Sequence, residues 1–124
     1  MLLKNFYTIE DLQIVGNDLN AKLSLNPNHI VYDGHFPEQP VVPGVIQLQI
    51  IREITENGIG KKLLIKAVSQ AKYLIPIIPV KEDIIEINIM LKQFEGDSIK
   101  STSQIISNGN VHSKIRIEFE KISN

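Results

Sequence analysis

At 124 residues, with 43% hydrophobic and 22% charged side chains, the chain has the size and composition of one globular domain with its own core. Thirteen basic and fourteen acidic side chains leave a formal charge of −1, which excludes the broad positive field of a nucleic-acid binder, so any anionic partner must be held by a local patch. The absence of cysteine excludes disulfides, thiolate nucleophiles and cysteine metal sites, and fits a reducing cytoplasm.

The first residues, Met1-Leu2-Leu3-Lys4-Asn5-Phe6, carry no apolar run of signal length, and no segment reaches the ~20 apolar residues of a membrane span. The expectation is a single cytoplasmic domain over 1–124. Phe6 to Val15 fits either a short strand or an N-terminal helical turn. Leu19, Ala21, Leu23 and Leu25 alternate with Asn20, Lys22 and Ser24, the pattern of a half-buried strand, which Asn26-Pro27-Asn28 stops. Val45 to Asn57 has helical length, with Ile46, Leu48, Ile50, Ile51 and Ile54 on a wide apolar face; Pro43 suits the helix start and Asn57-Gly58 its end.

From Leu63 the period becomes two. Ile65, Ala67, Ser69, Ala71, Tyr73 and Ile75 are expected on one face and Lys66, Gln70 and Lys72 on the other, until Pro76 and Pro79 break the strand. Ile85, Ile87, Ile89 and Leu91 alternate with Glu86, Asn88 and Lys92; Glu95-Gly96-Asp97 turns the chain into Ser98 to Ser107. Asn108-Gly109 is a hairpin signal, followed by Val111, Ser113, Ile115, Ile117 and Phe119 against His112, Lys114, Arg116, Glu118 and Glu120. One strand, one helix and four long strands joined by tight turns define an α+β class: a long antiparallel sheet wrapped around one central helix.

The stretch Gly34-His35-Phe36-Pro37-Glu38-Gln39-Pro40-Val41-Val42-Pro43-Gly44-Val45 sets a titratable ring in a stiff, apolar loop ahead of the helix. With the helix residues that follow, "GHFPEQPVVPGVIQLQ" resembles the signature of the β-hydroxyacyl-acyl carrier protein dehydratases, and the order of elements resembles their hotdog fold. Gly-Val-Ile-Gln-Leu-Gln further resembles a bacterial branch associated with polyene and related pigment synthesis.

Elimination of water from a 3-hydroxyacyl thioester needs a base for the C2 proton, help for the departing hydroxyl, and donors for the enolate-like thioester oxygen. A histidine has a reference pKa of ~6.5, so the ring of His35 can accept a proton near neutral pH. Pro37, Pro40 and Pro43 stiffen the loop. Gly44 permits close approach to the backbone, and the helix N–H groups direct a positive dipole at the thioester oxygen. His29 and His112 read as solvated, and no spacing suggests a metal site.

The resemblance implies more. In those dehydratases the helix position five residues after the motif glycine carries a catalytic carboxylate; here it is Gln49, whose amide can orient a hydroxyl but has no proton to give. Glu53 lies one turn further on the polar stripe with Arg52 and Glu56. Two readings of it stand: a displaced catalytic carboxylate, or a charge that solvates the helix or meets a dimer mate. Gln47, among isoleucines, must be buried and bonded to backbone.

The expected catalytic set is therefore His35, Gln49 and Glu53. Gly44, Val45, Phe36, Pro37, Val42 and Pro43 line the substrate path, and no metal or redox cofactor takes part beyond the phosphopantetheine of acyl carrier protein or CoA. The implied unit is a homodimer or larger, with a site between protomers. Arg52, Lys66, Lys72, Lys114 and Arg116 are candidates for docking an acidic carrier. An acyl thioesterase, in which an amide could orient a hydrolytic water, and a non-catalytic partner subunit of a heteromeric dehydratase are the alternatives.

Overall fold

The computed structural model describes residues 4–34 and 38–122, apart from the side chains of residues 93 and 94. Strands β1 (Tyr7–Val15) and β2 (Asp18–Leu25) are followed by the single-turn helix α1 (Val31–Gly34) and the long helix α2 (Gly44–Ile59). Four strands complete the chain: β3 (Leu63–Tyr73), β4 (Ile84–Glu95), β5 (Ser98–Ser107) and β6 (Asn110–Lys121). Every strand pairing is antiparallel, in the order β1-β2-β4-β5-β6-β3. The segment before β4 therefore carries the chain from one sheet edge back to the middle, rather than closing a tight turn.

The alternating strands bury the residues their pattern assigns inward. Leu19, Ala21, Leu23 and Leu25 of β2, Ile85, Ile87, Ile89 and Leu91 of β4, and Ile115, Ile117 and Phe119 of β6 meet Ile50, Ile51 and Ile54 of α2 in one core. Three of the five inward residues of β5 are serine: Ser101, Ser103 and Ser107. Ser101 and Ser103 are accommodated because their hydroxyls donate to the Ile117 and Ile115 carbonyls of β6, each at 3.0 Å. Asn108 and Gly109 both take positive φ, 52° and 77°, which matches the twist of a two-residue hairpin.

One open reading is settled and two local expectations are corrected. Of the two alternatives for residues 6–15, the strand holds, over Tyr7–Val15. The helix runs past Asn57-Gly58 to Ile59 and ends on Gly60 in the left-handed region (φ 70°), whose N–H reaches the Glu56 carbonyl at 2.9 Å. In β3 strict alternation fails. Bulges between Ile65 and Ala67 and between Val68 and Gln70 set Val68 opposite the inward Ile117, and Ala67 opposite Glu118.

Gly58 has a packing role instead. A Cβ there would lie 2.6 Å from a methyl of Leu19, which is 1% exposed, so β2 approaches the helix over this glycine. Overpacking costs about 1–3 kcal/mol, more than the ~1 kcal/mol that alanine gains in helix propensity. Gly58→Ala is expected to lower thermal stability, and combination with Leu19→Ala to cost less than the sum of the two changes. Additive losses in calorimetry would contradict this close approach.

Candidate active site

Helix α2 begins without a side-chain cap: Pro43 occupies the N-cap position with φ −61° and ψ 150°. Its carbonyl accepts the N–H groups of Ile46 and Gln47, both at 3.1 Å, whereas Gly44 and Val45 donate to no backbone carbonyl among the described residues. Val45 is largely exposed beside them. Val42 is a core residue: it is 4% exposed, its N–H bonds the Ile77 carbonyl at 2.9 Å, and its carbonyl accepts Gln47 Nε2 at 3.2 Å. Gln47 also accepts the hydroxyl of the fully buried Ser113 at 2.5 Å, so this amide ties the helix to β6, as its apolar surroundings required.

His35, Phe36 and Pro37 lie outside the described residues. The space beside Gly44 is filled by a residue that sequence reading passed over. A Cβ at Gly44 would lie 2.6 Å from Cζ and 2.7 Å from Oη of Tyr73, so the phenol packs against the Cα of this glycine. Burial raises the pKa of that phenol. Tyr73 reads in sequence as one more alternating strand residue, and its position depends on how β3 is bulged.

Gln49, Arg52, Glu53 and Glu56 form the expected stripe, but it is not a solvated one. Glu53 is 3% exposed. Its Oε1 accepts the Tyr7 hydroxyl at 2.8 Å and its Oε2 accepts Gln49 Nε2 at 3.0 Å. Arg52 Nε donates to Gln49 Oε1 at 3.2 Å, while its Nη1 donates to Glu56 Oε2 at 3.1 Å and to the Leu63 carbonyl at 3.2 Å. Glu56 in turn accepts the Leu63 N–H at 2.8 Å, so the network runs from β1 through α2 to β3. Burial first, then the Glu53 acceptor and the Glu53 and Glu56 charges, raise the Tyr7 pKa and keep it a donor.

The other candidates distribute differently. Arg52 uses Nε and Nη1 within the chain. Lys66 Nζ lies 3.6 Å from Glu118, whose carboxyl is held below the usual range by the Ser98 hydroxyl and then by the Lys66 and Lys100 charges. Lys72 stands directly opposite Lys114, and Lys92 opposite Lys100, while Arg116 faces Gln70 and Thr102.

Neither remaining histidine is simply solvated. His29 Nδ1 accepts the Val31 N–H at 3.1 Å, which assigns the proton to Nε2, 3.0 Å from the Lys4 carbonyl. His112 is 2% exposed because the chain after β3 folds over it: Leu74 and Ile75 donate to its carbonyl, and its Nδ1 lies 3.2 Å from the Ile75 and Pro76 carbonyls.

Tyr32, in α1 three residues before His35, is 4% exposed, and its hydroxyl has no partner among the described residues. An unsatisfied buried hydroxyl costs about 1–3 kcal/mol, so Tyr32→Phe is expected to raise stability. Burial pushes its pKa from 10.0 to about 12. The phenol is protonated in both states below pH 10; as pH rises towards 12 the unfolded chain ionises first, and stability falls. Denaturant unfolding across this window should show a smaller alkaline loss in Tyr32→Phe than in the wild type, and an equal loss would contradict the assignment.

Solved structures place this architecture among the hotdog folds. The dehydratase heterocomplex ApeI:P from Xenorhabdus doucetiae superposes with a TM-score of 0.72 at 17% identity, covering 91% of this chain and 96% of that one. A candidate thioesterase, yhdA from Lactococcus lactis, superposes at 0.75 with 14% identity, covering 100% and 98%. The family model for ApeI-like proteins, the ApeI dehydratase, matches residues 12–110, and the chain belongs to that family. It is 33% identical over 73 residues to the 3-hydroxyacyl-[acyl-carrier-protein] dehydratase FabZ of Pseudoalteromonas translucida, covering 52% of this chain and 49% of the relative. For the FabZ of Clostridium novyi the identity is 26% over 76 residues, covering 56% and 52%. The chain thus spans about half the length of the curated relatives it matches. No helix among the described residues is long and apolar enough to cross a membrane.

Proposed function

We propose that the chain removes water from a 3-hydroxyacyl thioester borne on the phosphopantetheine of an acyl carrier protein, in the cytoplasm and without metal or redox cofactor. The observation that carries this reading is the family match over residues 12–110, which includes the whole His35 loop and Gln49. The FabZ relatives are named for the same reaction.

In the proposed chemistry the neutral His35 ring takes the C2 proton, and the C2–H electron pair becomes the C2–C3 double bond. The C3 hydroxyl leaves as water with a proton returned from the imidazolium, because the Gln49 amide has none to give. Gln49 orients that hydroxyl, and the Gly44 and Val45 N–H groups receive the charge that grows on the thioester oxygen. Phe36, Pro37, Val42 and Pro43 form the apolar surroundings.

The working unit is a dimer or larger. β3 is a sheet edge carrying exposed Val68 and Tyr73, with exposed Leu74 and Ile75 just after it, a surface that a second hotdog subunit would cover. On the outward face, directly opposed pairs such as Lys72 with Lys114 and Lys92 with Lys100 repel each other, and an acidic carrier would relieve them.

A second reading, a partner subunit that borrows its acid from another hotdog chain, is favoured by the amide at position 49; the ApeI:P neighbour is itself described as a heterocomplex. Incubation of the purified chain with 3-hydroxyacyl carrier thioesters of several lengths tests both. Enoyl thioester is expected. Free acid would point to a thioesterase, and no product from a folded chain would sink the self-sufficient enzyme in favour of the partner subunit.

A further inference from the structure

We propose that Glu53 and Arg52 are positioning residues that fix the rotation of the Gln49 amide, so that one N–H of its NH2 group stays directed at the leaving hydroxyl of the substrate. This inference rests on the dehydratase reading above for its last step, and on the geometry of α2 for the rest.

A primary amide can rotate half a turn at little cost and exchange its donor end for its acceptor end. At Gln49 that exchange is blocked on both sides. Nε2 faces the Glu53 carboxylate at 3.0 Å, a group that accepts, and Oε1 faces the Arg52 guanidinium at 3.2 Å, a group that can only donate. The rotated amide would set oxygen against carboxylate and NH2 against guanidinium. Both braces are themselves held. Tyr7 donates to the other oxygen of Glu53 at 2.8 Å, and Arg52 is anchored by Glu56 and by the Leu63 carbonyl. One Nε2 hydrogen is used by Glu53, and the second remains for a ligand.

The same geometry accounts for the pairing of residue types. A glutamate at position 49 would bring a second carboxyl within about hydrogen-bond distance of Glu53, where two like charges cannot both persist and the pair would have to share a proton. Exchange of both residues is different. In the double change Gln49→Glu with Glu53→Gln, the amide at 53 still receives the Tyr7 hydroxyl and donates to the carboxylate at 49, and Arg52 meets that carboxylate. The bonds of the cluster to Tyr7, Arg52 and residue 49 each have a counterpart.

The test combines side-chain amide NMR of 15N-labelled protein with turnover of a 3-hydroxyacyl carrier thioester. In the wild type one Nε2 proton of Gln49 is expected to exchange slowly with solvent. In Glu53→Gln this protection is lost and kcat falls roughly tenfold with KM little changed. Tyr7→Phe gives a smaller change in the same direction, and in Gln49→Glu combined with Glu53→Gln the amide at position 53 takes over the slow exchange. A Gln49 amide indifferent to Glu53→Gln, or a double variant whose amide at position 53 exchanges freely, would overturn the proposal. Should the wild type dehydrate nothing while the Gln49 resonance still responds to Glu53→Gln, the dehydratase reading falls and the brace on the amide is supported.

Discussion

Replacement of His35 by alanine is expected to cut dehydration of a 3-hydroxyacyl carrier thioester by ~10²–10⁴-fold, the range typical of losing a positioned base. With an amide at position 49 in place of the carboxylate that the resemblance implies, the ring carries both proton transfers in the proposed reaction. Alanine leaves no titratable atom at this position, and in the proposed reaction the ring acts on the C2 proton rather than on binding, so affinity for the carrier thioester should persist. The expected signature is a fall in kcat with a nearly unchanged KM and an unchanged melting temperature. Activity should also fall as pH drops below the range in which a histidine ring is neutral. Turnover retained in His35→Ala would contradict the assignment outright.

The second large effect concerns the core. Phe119 is 0% exposed in β6, opposite Ile65 of β3 and Ile99 of β5, where the sheet curls onto α2. Truncating a buried phenylalanine to alanine removes its transfer free energy and leaves a cavity, at a cost of about 3–5 kcal/mol. Against a total stability of roughly 5–15 kcal/mol, that is a large share, and for a chain of this length it corresponds to a fall in Tm of roughly 10–20 °C. Val80→Ala, at a residue 67% exposed, serves as the control and should stay within ~0.5 kcal/mol. Equal melting temperatures for the two variants would mean that the packing around Phe119 is wrong.

Legibility in the sequence followed the range of the interaction concerned. β2 and β4 could be read because their inward faces are unbroken aliphatic alternations, β6 because only Ser113 interrupts its apolar face, and Asn108-Gly109 because its positive φ values are a local demand. The burial of Gln47 followed from its apolar neighbours on the same helix face. β3 misled because two bulges shift its faces, and the partner strand that reveals them lies about fifty residues on. His112 alternates as a polar residue should, yet the chain after β3 returns to cover it. Glu53 reads as a surface charge on the helix alone; it is buried because Tyr7, from the far edge of the sheet, closes over it. The same reach hid Tyr73, which meets Gly44 only once β3 is laid at its edge.

The central claim is that His35 removes a proton from C2 of a carrier-bound acyl thioester, and isotope exchange reads that step without requiring net turnover. Purified protein would be incubated in deuterated water with a 3-hydroxyacyl carrier thioester and, separately, with the matching enoyl thioester, and deuterium at C2 measured by mass spectrometry. Deuterium at C2 in the wild type, abolished by His35→Ala, is the predicted result; incorporation unaffected by His35→Ala, or none in a folded wild-type protein, would contradict it.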